Sequence, residues 1–218
     1  MSSSKVRAVR ASATLALPTA ALGVTFGVLA APVLGAGPVI VMSAVVWSGA
    51  AQFGALTVLT GGGGVALAAG TALLANARFL PMGFAFAPSL SGSPLRRALA
   101  GMLVVDASFA LAHRGEGRFD AEVVVWSAPL QYAGWVLGTV VGVLGASTLA
   151  DPSSWGLDVL FPVFYLGLLV PELRAAGRQL VVAATAAVVA LALVPVTPEG
   201  VPVLAAAATA LLGLRDAA

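Results

Sequence analysis

From Ala11 to Leu34 the chain runs without a single charged side chain, and apolar runs of similar character recur along its length. A helix rises 1.5 Å per residue, so about 20 consecutive apolar residues cross the hydrocarbon core of a bilayer. Read on that ruler, the sequence predicts spans at roughly 13–35, 38–60, 65–88, 97–113, 122–148, 158–173, 179–195 and 201–214. Several are short or carry Pro and Gly, which gives seven or eight crossings with some helices broken. The expected fold is an all-α, polytopic membrane protein with residues 1–218 forming one transmembrane domain. Composition supports this. Of the 218 residues 60% are hydrophobic and 9% charged, against about 25% charged in an ordinary soluble domain. A soluble chain of this size must still present a wet exterior, a requirement that lipid removes. The mean hydropathy is +1.02.

The N-terminal segment admits a second reading. Lys5, Arg7 and Arg10 precede the apolar run, and Leu29-Ala30-Ala31 is similar to a signal-peptidase site. The run exceeds a signal peptide's apolar core of about 7–15 residues, so it is read as the first membrane helix. Those three cations place the N-terminus in the cytoplasm. With eight spans, the loop with Arg114 and Arg118 and the loop with Arg174 and Arg178 also fall inside, as does Arg215. The loops holding Asp151 and Glu199 fall outside. Arg96 and Arg97 also land outside and break the rule, unless the segment 65–88 is a broken or re-entrant hairpin.

Other classes of function are poorly served. The net charge is +2 and the cations are dispersed, so no basic stripe exists for nucleic acid. Without cysteine and with one histidine, neither disulfides nor thiolate or His-rich metal centres can be built. Gly61-Gly62-Gly63-Gly64 lacks a following Lys-Ser/Thr, so it is a flexible turn rather than a nucleotide loop. No G-x-S-x-G elbow is present, and His113, at a span end, reads as a surface residue. No cofactor is implied, and an intramembrane enzyme would need a base that only His113 could supply.

Two elements share a spacing. Pro18 is followed by Gly23 and Gly27, and Pro129 by Gly134 and Gly138. This suggests two repeat halves, about 13–113 and 122–214, parallel if the copies lie an even number of spans apart and inverted if odd. The same glycines, with Gly142, form small-xxx-small faces that let helix backbones approach closely.

Polar residues inside the apolar runs mark the candidate site. Ser48 and Gln52 are four apart and share a helix face, while Gly49 and Gly54 weaken that helix and expose carbonyls. This stretch is either an unwound substrate-binding segment or an interhelical hydrogen bond that holds the bundle together. In the third span, Asn76-Ala77-Arg78 precedes Pro81, which removes a backbone donor and clashes with the carbonyl of Ala77. Arg78 within an apolar run costs about 2.5–3.5 kcal/mol by insertion scales, so it faces protein or a cavity. Asp106 is the one acid well inside a span. Arg78 and Asp106 each stand 14 residues from Gly92, so antiparallel neighbours would bring them to similar depth. Such a pair either fixes the fold or orients substrate and carries a proton.

The segments "MSAVVWSGAAQF" (42–53), "NARF" (76–79), "FAFAPSL" (84–90), "VVDASFAL" (104–111) and "GLDVLFPVFYLGLLVPEL" (156–173) resemble the AzlC-type branched-chain amino-acid permeases. The resemblance implies a multi-pass protein of the bacterial inner membrane that exports branched-chain or related amino acids beside a small AzlD-type membrane subunit. Gly49, Gln52, Asn76, Arg78 and Asp106 fit that family's pattern; with Ser48 from the spacing above, the expected substrate contacts are Ser48, Gly49, Gln52, Asn76 and Arg78, with Asp106 as proton-coupling or charge-pairing group. Phe79 stands where the family commonly has His, and Ala107 where it commonly has an acid, which removes two titratable groups. Taken together, an exporter working by alternating access on the proton gradient is expected. A non-transporting assembly subunit is the alternative, with an intramembrane enzyme behind it.

Overall fold

In the computed structural model, residues 3–115, 117–148, 177–197 and 201–209 are described, with isolated positions between 163 and 174. Among these residues the protein is helical, with one isolated β-bridge between His113 and Phe119. The helices are α1 (Ser3–Leu34), α2 (Ala36–Val46), α3 (Gly49–Thr60), α4 (Val65–Asn76) and α5 (Phe79–Phe86), the last extended by a 3₁₀ turn, Ala87–Ser89. There follow α6 (Pro94–Gly101), α7 (Asp106–Ala112), α8 (Ala121–Gly145), α9 (Arg178–Leu193) and α10 (Val201–Ala208). Among the described residues three helical stretches are long and apolar enough to cross a membrane: Ser12–Leu34, Val65–Ser89 and Ala121–Gly145. Large apolar side chains along them, such as Leu17, Leu73, Phe84, Leu137 and Leu144, lie exposed, as lipid contact requires.

Two expected spans are corrected. The stretch 38–60 is not one helix: it stops at Val46, and Trp47 adopts the left-handed conformation (φ 37°, ψ 48°) before α3 begins at Gly49. The stretch 97–113 is two short helices, α6 and α7, separated by residues 102–105. Ser108, buried in α7, stitches that second break. Its Oγ accepts the Val105 N–H (2.9 Å) and donates to the Leu103 carbonyl (2.8 Å), satisfying backbone groups freed where the helix ends. The 65–89 segment is helical on either side of a turn at Ala77–Arg78. The expected span 158–173 lies largely outside the described residues, as does the end of 201–214 beyond Thr209, and Asp151, Glu199 and Arg215 lie outside them altogether.

The chain divides into two compact units. The first holds the residues up to Ser48 and those from Phe79 to the end of α8; the second holds Gly49–Arg78 with α9 and α10. In the first unit α1 and α8 pack along much of their length. Cβ atoms added at Gly134, Gly138 and Gly142 would meet the carbonyls of Ala16, Ala20 and Val24, and one at Gly27 would meet that of Thr139. Partners advance together along both helices, so α1 and α8 run in the same direction. The Pro18-Gly23-Gly27 and Pro129-Gly134-Gly138 stretches therefore pack on each other side by side, with a stagger of about one helical turn. Helix α2 runs antiparallel to α8: Ser43 shares a hydrogen bond with Thr139 (2.8 Å), while the Tyr132 hydroxyl donates to the Ala44 carbonyl (2.8 Å). That carbonyl lies in the last turn of α2, where no intrahelical donor remains.

At the start of α8 an apolar cluster of Phe86, Val104, Ala112, Val123 and Val124 closes the unit, with Phe109 and Phe119 against it. His113 is half-buried, its ring 5.4 Å from that of Phe119, rather than a free surface residue. In the second unit, α3 and α4 form a hairpin through Gly61–Gly64, where Gly62 has φ +83°, a conformation glycine adopts without strain.

Candidate functional site

The chemistry-bearing residues singled out by the sequence fall at the ends of broken helices. Ser48 is buried in the two-residue gap between α2 and α3, and Gly49 opens α3. The break is built by Trp47, whose ring meets that of Tyr132 edge-on at 5.2 Å. That contact and the Tyr132–Ala44 hydrogen bond hold the last turn of α2 on α8. Gln52 lies in the first turns of α3, fully buried at 0% exposure. An amide so placed in apolar surroundings needs polar neighbours to offset its desolvation.

Asn76 ends α4 and Arg78 sits in the turn that follows, both half-buried. The Arg78 guanidinium donates through Nη1 to the Ala75 carbonyl at 3.2 Å. A cation at a helix C-terminus meets unsatisfied carbonyls and the negative end of the dipole, so the fold gives Arg78 a local structural role as well. Because α3 and α4 are antiparallel about a short glycine turn, Gly49 and Asn76 stand at the same open end of the hairpin. Gln52 lies one turn further in.

Asp106 is the first residue of α7 and is half-buried. A carboxylate in the first turn is favoured by the helix dipole. It is therefore not in mid-helix, as an unbroken fourth span would have placed it. Gly49, Gln52, Asn76 and Arg78 belong to the second unit, Ser48 and Asp106 to the first.

One polar element went unread in the sequence. Ser127, Gln131, Trp135 and Thr139 recur every four residues on α8 and are all buried. Gln131 is 1% exposed, and its Nε2 lies 3.5 Å from the Ser127 carbonyl. The Ser12 hydroxyl of α1 donates to the same carbonyl at 2.7 Å. The signal was a duplication: Val45-Val46-Trp47-Ser48-Gly49-Ala50-Ala51-Gln52-Phe53 returns as Val124-Val125-Trp126-Ser127-Ala128-Pro129-Leu130-Gln131-Tyr132. In both copies the Ser and the Gln are buried. In the second copy the helix continues through Pro129, whereas in the first it breaks.

Electrostatics outside the membrane helices centre on the turn before α8. Arg114 pairs with Asp120 at 2.5 Å, and Asp120 caps α8 by accepting the N–H groups of Glu122 (3.1 Å) and Val123 (3.4 Å). Partial burial of Asp120 raises its pKa, but the Arg114 hydrogen bond and charge, with the two backbone donors, outweigh this and hold it below the usual 3.8. Among the described residues no group of three or more His, Cys, Asp or Glu could hold a metal ion.

No curated protein and no solved structure matches the chain. A family model described as AzlC protein matches residues 14–149. That stretch takes in the three interrupted segments and α8 but stops short of the resemblance at 156–173. The family is transporter-associated, generally related to branched-chain amino-acid transport and generally working with an AzlD partner. With well over half of its length matched by that model, the chain belongs to the AzlC family.

Proposed function

We propose that this protein is the large subunit of a two-component membrane permease that exports branched-chain or similar small apolar amino acids. The observation that supports it best is the placement of polar residues at helix interruptions: Ser48 and Gly49 at one, Asn76 and Arg78 at another, Asp106 at a third. Irregular backbone at membrane depth is tolerated where it is covered by protein or lines a cavity. In carriers, such breaks supply carbonyls and helix ends to a solute. A zwitterion needs a donor for its carboxylate, a role for Arg78. It needs acceptors for its ammonium, a role for freed carbonyls and for Asp106. Gln52, Ser48 and Asn76 supply neutral polar contacts. No nucleotide loop is present in the sequence, which leaves downhill flux or a gradient; our reading is alternating access coupled to the proton gradient through Asp106. The protein sits in the bacterial inner membrane with its N-terminus cytoplasmic, crossing seven or eight times, beside an AzlD-type subunit.

The test is efflux of labelled leucine, valine and methionine from preloaded cells, with and without this chain and its partner subunit. Faster efflux that requires both chains is expected. Unchanged efflux of all three would overturn the assignment and leave an assembly role.

A further inference from the structure

We propose that Thr19 of α1 and Trp135 of α8, with Gln131 one turn before Trp135, form a carboxylate-binding station for the transported amino acid within the first unit. The site rests on the transport reading above and adds to it residues that neither the family resemblance nor the helix breaks point to.

Two polar groups carry the inference. Thr19 and Trp135 are 7% and 4% exposed, and neither Thr19 Oγ1 nor Trp135 Nε1 has a hydrogen-bond partner among the described residues. Such groups are rare in folded proteins, because leaving one buried forfeits its hydration without return. The surrounding hydroxyls show how easily the cost is avoided. Thr25 donates to the Ala21 carbonyl (3.0 Å) and Thr139 to that of Trp135 (3.0 Å), each four residues back on its own helix. Thr19 has the same option at Leu15 and does not take it. Ser12 donates to the Ser127 carbonyl, and Ser127 to that of Val124 (3.4 Å).

The two groups also belong to neighbouring turns of the α1–α8 contact. Ala20, next to Thr19, packs against both Gly134 and Gly138, which bracket Trp135. Thr19 and Phe26 are seven apart and so share a face of α1. The Phe26 ring stacks on the Trp135 indole with centroids 6.4 Å apart and 22° between planes. The Thr19 face of α1 is thus the face that the indole meets.

The chemistry follows from the donor set. An indole N–H donates only, so its partner is an acceptor oxygen. The Thr19 hydroxyl adds a second donor, and the Gln131 amide adds another with one N–H directed at the Ser127 carbonyl. A set of neutral donors suits the two oxygens of a carboxylate. The Phe26 ring, stacked on the Trp135 indole, offers an apolar wall to an aliphatic side chain. A trapped water would satisfy the same donors without binding solute, and this is the competing outcome.

The experiment uses the full chain with its partner subunit in proteoliposomes. Thr19→Val keeps shape and Trp135→Phe keeps an aromatic ring, and together they remove the two donors. If the donors hold solute, the leucine KM rises about tenfold or more for each lost hydrogen bond to a charged group. Thermal stability of Thr19→Val should hold or increase, since an unsatisfied group has been removed, whereas Trp135→Phe also loses buried ring volume. An unchanged KM would overturn the site, and lower stability in Thr19→Val would then assign the groups to a buried water. Should the variants fail to assemble, the wild type answers by NMR of its four ¹⁵N-labelled indoles. One signal should move downfield with leucine but not with leucinamide, which lacks the carboxylate. No movement of any of the four signals would equally overturn it. If wild type carries no amino acid at all, the transport assignment itself fails; wild-type flux with indifferent variants removes this station alone.

Discussion

Arg78 shows how one side chain can carry two duties. Its guanidinium closes the carbonyl end of α4 through Ala75, and the proposed function asks it to take a solute carboxylate. Removing the charge alone should therefore do less harm to assembly than its depth suggests. Asp106→Asn is expected to impair flux or folding. If the expected Arg78–Asp106 pairing serves transport, the double change Arg78→Gln with Asp106→Asn should recover expression without recovering flux. Efflux and membrane yield measured side by side decide it, and recovery of both would make the pair merely structural. Gln52 offers a second test, because the chain lacks cysteine. Buried as it is, a Gln52→Cys side chain should react slowly with a small polar thiol reagent, and leucine should slow it further. Inertness under every condition would place position 52 in a sealed interface.

At the scale of elements, the α1–α8 contact depends on missing side chains. A Cβ at Gly138 would collide with the Ala20 carbonyl, and backbone cannot step aside as a flexible side chain can. Gly138→Ala should cost about 1–3 kcal/mol, the usual range for overpacking, seen as a lower unfolding temperature in detergent. Gly70, within α4, has nothing within 4 Å of its would-be Cβ. Gly70→Ala should be neutral or stabilise by about 0.5–1 kcal/mol. The start of α8 responds instead to pH. Since Asp120 has a lowered folded pKa, its ionised form is favoured by folding. Its contribution is present above the ordinary value of 3.8 and is lost as pH falls through the folded pKa. Asp120→Asn keeps a capping oxygen but loses the Arg114 ion pair. Wild type should therefore be modestly the more stable of the two at neutral pH, with the difference closing below about pH 4. Unfolding temperatures of both proteins across that range measure it.

For the whole molecule the open question is energy. A carrier without a nucleotide site runs downhill or uses a gradient. If Asp106 takes up and releases the coupling proton, an imposed pH gradient across proteoliposomes should drive uphill leucine movement in wild type. Asp106→Asn should retain gradient-independent exchange at most. Wild-type flux indifferent to the gradient would make the protein a facilitator.

The apolar runs alone determined that this chain is helical and lives in lipid, because transfer of a 20-residue apolar helix out of water outweighs every local preference. They also located the glycine turn between α3 and α4 and the close-packing glycines of α1 and α8. Run length could not say where a helix stops, since that depends on partners far away in sequence. Trp47 turns left-handed where its ring and the Ala44 carbonyl meet Tyr132, 85 and 88 residues onward respectively. The break before α7 is held by a serine that reads as ordinary apolar-helix filler. Asp106 thereby moved from the middle of an imagined span to a helix start. Likewise, spacing marked Ser48 and Gln52, but the burial of their counterparts Ser127 and Gln131, and of Thr19 and Trp135, was decided by the parallel register of α1 and α8. Sequence set which segments enter the membrane; only tertiary packing chose which polar groups are sealed inside and which are left with bonds still to make.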